Sequence, residues 1–304
     1  MDKKRYRRKH RPGTSRRDIR RAEKMLINIL AGILVLLTII FARNILLPLP
    51  DEGIIPIENV AAFAISPQTF ADLKSLSNRN NVNFVEVLTI FSLSENFFPP
   101  GSIMPTKEEL ENEFFRNYRN IKRSHSQDQI NTYKKILGTL LNEIESFPIA
   151  QEYMTSGENG YYFSDTFGAA RTYGGDRKHE GTDIMDRKNA RGRIPVVSMT
   201  NGVIRNIGWG ELGGYNIGIN SASGNYYYYA HFDSFAPGLQ QGDTVEPGQL
   251  LGFMGDSGYG SEGTRGMFAV HLHVGIKVNS DITENGMFWI NPYVFLRNIE
   301  GYRD

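Results

Sequence analysis

The 304-residue chain contains no cysteine. That excludes disulfide cross-links, cysteine nucleophiles and thiolate zinc sites, so an exported domain must rely on its core or on a metal. No internal repeat or low-complexity segment stands out. Charge is missing from Met25 to Ala42, where Asn28 and Thr38 are the only polar residues. A helix of this length spans about 27 Å, close to a bilayer core of about 30 Å. Arg43 can snorkel, and Ile45-Leu46-Leu47 extends the apolar span. A single transmembrane helix over residues 25–47 is the expectation.

The net charge of +1 conceals an asymmetry. Residues 1–24 carry twelve Lys/Arg against Asp2, Asp18 and Glu23, a net +9. The other 280 residues carry 22 Lys/Arg against 30 Asp/Glu, a net −8. The positive-inside rule places such a basic tail in the cytoplasm and everything after the span outside. A cleaved signal peptide fits less well, because Ile40-Phe41-Ala42-Arg43 is a poor exit site and the basic region is long. Nucleic-acid binding by the tail is not expected. Its place directly before an apolar helix is explained more simply by orientation and attraction to lipid headgroups.

Three prolines between Pro48 and Pro56 mark a linker that resists helix, assigned to residues 48–65. Residues 66–150 read as a small all-α region of about four helices, expected as a spacer or shield. Ser66-Pro67 is an N-cap with proline at the first helical position. Thr106-x-x-Glu109 and Ser126-x-x-Gln129 both fit the capping box. After the second, Ile130, Tyr133, Ile136, Leu137, Leu140, Leu141 and Ile144 recur at helical spacing. Phe84 to Leu93 lacks alternation and reads as a buried helix. Glu95, just after it, loosely resembles the catalytic acid of lysozyme-like transglycosylases. Glycoside cleavage commonly needs further features, and no second motif accompanies Glu95.

From about residue 156 to 298 the pattern becomes β-rich. Ile194–Ile207, Tyr215–Ile219, Asn225–His231, Gln249–Met254 and Val270–Val278 read as strands. Asn201-Gly202 and Ser223-Gly224 read as hairpin turns.

The chain has six histidines, and four fall in this last region. His179-Glu180-Gly181-Thr182-Asp183 places two ligand types four residues apart, and Gly181 is expected to let the backbone bend so that they converge. His271 and His273, two apart on a strand, leave the same face. His231 is read as ending its strand, with Tyr229 on its face and Tyr228 opposite. A lone histidine after four tyrosines is ordinarily a half-buried core residue, and a lone H-x-H is common on surfaces. Gathered in one β-rich domain, the motifs support each other. A catalytic zinc takes three protein ligands and keeps one position open. Four histidines and one aspartate supply three ligands and leave two groups for proton transfer. His10 and His125 sit in charged, polar surroundings and are set aside.

His179-Glu180-Gly181-Thr182-Asp183, Tyr229-Ala230-His231, Gly242-Asp243-Thr244-Val245-Glu246-Pro247-Gly248-Gln249 with Gly252, and His271-Leu272-His273 together resemble the lysostaphin-type (LytM-like) zinc metallopeptidases of bacterial cell walls. The resemblance covers about residues 160–298. It implies an all-β antiparallel domain of the duplicated hybrid-motif type with an open groove. It implies one zinc ion held by His179, Asp183 and His273, with His231 and His271 moving protons beside it. It also implies an upstream tyrosine that stabilises an oxyanion, for which Tyr173 is the nearest candidate. The segment from Tyr259 to Val270 is longer than the family's usual Gly/Ser link.

The implied activity is hydrolysis of peptidoglycan stem or bridge peptides by an enzyme of the cell membrane, with a membrane-protein partner left open. The contrasting reading is a catalytically silent scaffold that binds a partner or the wall during division or sporulation. A lipoyl- or biotin-carrier domain is excluded, because no lysine lies between Lys188 and Lys277 to carry the group.

Overall fold

The computed structural model describes residues 61–63, 65–93, 107–153, 160–280 and 286–301, together with Met25. The rest of the expected span over 25–47, nearly all of the linker, Glu95 and Thr106 of the first capping box lie outside the described residues. Among the described residues no helix is long and apolar enough to cross a membrane.

Among the described residues four helices come first: α1 (Pro67–Asn80), α2 (Phe84–Leu93), α3 (Lys107–Ser124) and α4 (Gln127–Glu143). The Thr69 amide donates to Ser66 Oγ at 3.0 Å, which starts α1. Its C-cap Asn81 is left-handed at φ 52°. Ser126 and Gln129 close a reciprocal capping box at α4, with bonds of 2.9 and 3.2 Å. Such a cap contributes about 1 kcal/mol. The apolar α2 packs against α1, α3 and α4, with Val87 and Leu88 fully buried. Each such side chain contributes roughly 1.5–3 kcal/mol of burial.

The remaining elements are mostly strands: β1 (Tyr161–Phe163), β2 (Ala170–Arg171), β3 (Arg177–Lys178), β4 (Thr182–Asp186), β5 (Pro195–Val197), β6 (Gly202–Gly210), β7 (Gly214–Asn220), β8 (Tyr226–Phe235), β9 (Thr244–Val245), β10 (Leu250–Met254), β11 (His271–Asn279) and β12 (Met287–Ile290). A last helix, α5 (Tyr293–Glu300), was not anticipated from the sequence. One antiparallel sheet runs β1-β4-β11-β8-β7-β6-β9, with β12 on β11 and with β10 joining β8 to β5; β2 and β3 form a separate hairpin. The expected antiparallel β domain is therefore present.

Three local expectations need correction. Ile194–Ile207 is two strands, β5 and β6, split where the Ser198 hydroxyl bonds the Thr200 carbonyl at 2.7 Å. Asn201-Gly202 joins strands that do not pair: β5 pairs with β10, and β6 with β7 and β9. Ser223-Gly224 does turn β7 into β8, with the Ser221 amide on the Asn225 carbonyl. The third correction concerns His231. It does not end β8, which continues to Phe235.

Nor do the helices stand apart from the sheet. One continuous core joins them. Phe63 stacks on Phe295 of α5 at 5.0 Å, and Phe70 meets the same ring edge-on. The Glu143 carboxylate at the end of α4 takes bonds from the Asn225 amide group at 2.9 Å, the Tyr227 hydroxyl at 3.1 Å and the Ser223 amide at 3.3 Å.

Asp186 closes β4. Its carboxylate accepts from the Lys188 and Ala190 amides at 2.9 and 3.0 Å and from the Arg193 guanidinium. Burial opposes ionisation, but these donors outweigh it and hold the carboxyl below its ordinary range. A lowered folded pKa gives stability that is complete above the unfolded value near 3.9 and lost as pH falls through the folded value. Asp186→Asn is therefore expected to cost about 1–3 kcal/mol at pH 7. The gap from wild type should shrink below about pH 4. Urea midpoints at pH 7 and pH 3 test this, and an equal gap at both would refute it.

Candidate metal centre

Residues 271–279 alternate cleanly. Leu272, Val274, Ile276 and Val278 are fully buried on the core face. His271 and His273 therefore share the opposite face. In the antiparallel register His273 lies directly across from Asp183 of β4. The β2–β3 hairpin delivers His179, whose amide bonds the Ala169 carbonyl while its own carbonyl takes the Gly168 amide.

Three ligand atoms converge. His179 Nε2 lies 2.9 Å from both Asp183 Oδ1 and His273 Nδ1, and His273 Nδ1 lies 3.1 Å from Asp183 Oδ1. Donors around a tetrahedral zinc stand roughly 3.4 Å apart at ordinary bond lengths, so the cluster is a few tenths of an ångström tighter. Two imidazole nitrogens and a carboxylate are a suitable donor set for that ion. The His179 Nδ1–H donates to the Thr166 carbonyl at 2.9 Å, which turns the Nε2 lone pair inward. Arg171 Nη2 donates to Asp183 Oδ2 at 2.6 Å, leaving Oδ1 for the cluster.

Gly181 acts differently from the expectation. Its φ is not left-handed. A Cβ there would lie 2.4 Å from the Val274 carbonyl and 2.6 Å from His273 Cε1. Glycine serves close approach of the loop to β11, not a bend.

His231 and His271 stand beside the cluster with ring centroids 4.6 Å apart. Each donates Nδ1–H to a backbone carbonyl, Ser257 at 2.8 Å and Ala269 at 2.7 Å. Both Nε2 atoms are thereby left as acceptors. His231 reaches the site by a β-bulge. Its φ is 68°, and the register of β7 on β8 slips where Tyr215 pairs with Phe232 and Ile217 with Tyr229. The bulge breaks the alternation. His231 consequently faces the cleft with Tyr228, whereas Tyr229 is in the core with its hydroxyl accepting from the Met199 amide at 2.8 Å. This reverses the expected face assignment.

Burial lowers the pKa of His231, His271 and His273, and Asp183 partly offsets it for all three. Asp183 is driven the other way. Its burial is outweighed by the bonds from His179 and His273, with the nearby imidazole charges adding to them, so it stays ionised. Neutral imidazoles and an ionised carboxylate are the protonation states that metal binding needs.

The cluster opens into a cleft of about 230 Å³. Arg171, Arg177, Glu180, Tyr228, Tyr259 and Trp289 line it with the four histidines. None of these six was among the site residues expected from sequence. Tyr173 does not line the cleft. Its ring stacks on Tyr259 at 4.1 Å and 1°, and it is Tyr259 whose ring meets His231, at 6.3 Å. Phe268, from the long Tyr259–Val270 segment, packs edge-on against His231 at 4.6 Å and His271 at 5.0 Å. A larger cleft of about 370 Å³ between α1 and α5 contains Lys74 and Arg79 but no histidine or acid.

An open antiparallel sheet with a part-buried His-Asp-His cluster and two tethered imidazoles at a cleft has the form of a metallohydrolase. The profile of peptidase family M23 matches residues 177–284. A Ruminococcus gnavus protein assigned as a glycyl-glycine endopeptidase LytM superposes with a TM-score of 0.60 at 35% identity, over 81% of this chain and 91% of that one. The chain belongs to peptidase family M23. It is also 44% identical over 143 residues to the L-Ala--D-Glu endopeptidase of Bacillus subtilis, a match covering 47% of this chain and 41% of that protein. The chain thus spans about two fifths of the length of this curated relative.

Proposed function

We propose that the protein is a membrane-anchored zinc endopeptidase that hydrolyses peptide bonds of peptidoglycan. The convergence of His179 Nε2, Asp183 Oδ1 and His273 Nδ1 within 3.1 Å carries this reading. Zinc, when bound there, supplies Lewis acidity toward a carbonyl oxygen and acidifies water. The chain's own groups do the rest. Arg171 fixes the Asp183 carboxylate. His231 and His271, their Nδ1–H groups held by carbonyls, present Nε2 to accept a proton and return it to the leaving amine. Phe268 walls both rings against rotation and water. Tyr259 and Tyr228 are better placed than Tyr173 to meet substrate at the cleft.

The N-terminal domains belong to the same proposal. Residues 1–24 form a cytoplasmic basic tail, 25–47 a single span through the lipid bilayer, 48–65 a linker, 66–150 the helical region and 156–298 the peptidase domain outside the membrane. The charge asymmetry and the uncharged run support this arrangement.

The names of the two relatives differ in one chemical respect. An L-Ala–D-Glu bond is flanked by a carboxylate, and a glycyl-glycine bond is not.

The test is digestion of purified peptidoglycan with the zinc-loaded protein, with fragments read by mass spectrometry. New amino termini are expected, and His179→Ala should produce none. Wall binding without new termini would favour the scaffold reading instead.

A further inference from the structure

Among the described residues the cleft has two guanidinium groups, and they differ in their partners. Arg171 is spent on Asp183 at 2.6 Å. Arg177 has no carboxylate within ion-pair distance among the described residues. It is nonetheless held in place: its Nε donates to the Tyr173 carbonyl at 3.4 Å and its Nη2 to the Tyr259 hydroxyl at 3.3 Å. Tyr259 is itself clamped, face to face by Tyr173 at 4.1 Å and edge-on by Phe268 at 4.8 Å. Arg177 is therefore a pre-positioned cation, one tyrosine ring from His231, whose centroid is 6.3 Å from that of Tyr259.

The charge balance points the same way. In the cleft, Arg171 and Arg177 offset Asp183 and Glu180. A divalent ion in the centre leaves a net positive cleft. A substrate with one negative charge is drawn to it and an uncharged glycine bridge is not. A planar guanidinium with a free edge matches a carboxylate in two parallel hydrogen bonds. Arg177 Nη2 is 3.3 Å from the Tyr259 hydroxyl and the Tyr259 ring is 6.3 Å from that of His231, so at roughly 3.5 Å per extended residue a carboxylate on Arg177 lies within a few residues of the histidines.

We propose that Arg177 anchors a substrate carboxylate, and that the cleft takes peptides bearing a free carboxylate within a few residues of the cleaved amide. This rests on the peptidase reading of the same site.

The experiment measures binding rather than turnover. Two muropeptide mimics with an N-methylated, uncleavable scissile amide are titrated calorimetrically into the zinc-loaded full chain. One carries the free carboxylate and the other its primary amide. Wild type should prefer the free acid by about tenfold or more. Arg177→Ala should bind both at the level of the amide, and Arg177→Lys should keep part of the preference. Arg177→Gln, which retains the stem and a donor, serves as a second variant should the alanine form unfold. Equal binding of both peptides by wild type, or an undiminished preference in Arg177→Gln, overturns the proposal. Preference for the acid without any cleavage of the ordinary amide would leave Arg177's role standing and remove the peptidase reading. Equal kcat/KM on cleavable free and amidated peptides would do the reverse.

Discussion

Asp183→Ala will strip the protein of zinc and lower hydrolysis by about a thousandfold or more, the scale on which removal of one member of a catalytic unit acts. Three groups meet at this carboxylate. His179 Nε2 and His273 Nδ1 approach Oδ1 at 2.9 and 3.1 Å, and Arg171 holds Oδ2 at 2.6 Å. Truncation removes one ligand, frees two imidazoles to rotate, and leaves the guanidinium without its acid. Asp183→Asn keeps the shape but removes the charge, so it should also fail to retain the ion. Arg171→Gln touches only the outer oxygen, and a loss of about ten- to hundredfold in zinc affinity is expected. Zinc content by atomic absorption, read beside turnover, separates Arg171→Gln from the two Asp183 variants. Stoichiometric zinc in Asp183→Ala would refute the assignment of this carboxylate as a ligand.

Gly181→Ala will be nearly as damaging, although it removes no functional group. The new methyl would sit 2.4 Å from the Val274 carbonyl, 2.6 Å from His273 Cε1 and 2.8 Å from His273 Nε2. Two of these atoms belong to a ligand ring and one to the backbone of a central strand, so neither yields cheaply. Overpacking of this kind costs about 1–3 kcal/mol. Here it would push the loop carrying His179, and the start of β4 with Asp183, away from His273. The expected result is a lowered Tm together with loss of the ion. Gly168→Ala is the control. It has nothing within 4 Å of its would-be Cβ but has a φ of 77°, so only backbone strain of about 1 kcal/mol is imposed and zinc should remain. Wild-type Tm and metal content in Gly181→Ala would sink the close-approach argument.

Much of the centre was legible because period-two alternation is a local property. His271 and His273 had to share a face once Leu272 and Val274 were buried. The α4 capping box needed only Ser126 and Gln129. The features missed in the sequence all depend on a partner distant along the chain. The His231 bulge exists because β8 has one more residue than β7 in that stretch, which no reading of Tyr226 to His231 alone contains. Arg171 finds Asp183 only after the β2–β3 hairpin folds over β4. Tyr259, a left-handed residue at φ 60°, lines the cleft in place of Tyr173 and stacks on it from a distant part of the sequence. The run from Ile194 to Ile207 looked continuous because strand propensity does not reveal which neighbour supplies the hydrogen bonds.

Glu143 bears on how the molecule could be shortened. Its carboxylate fastens the tip of the β7–β8 hairpin, and β8 carries His231 further along the same strand. A gene fragment starting at residue 156 would keep every candidate ligand and proton carrier. It would also remove Ile149, which bridges to Val196 of β5, and leave the Tyr227 hydroxyl without its acceptor. The α-helical half is thus part of the foundation on which the catalytic geometry stands, and a minimal enzyme cut from this chain has to include it.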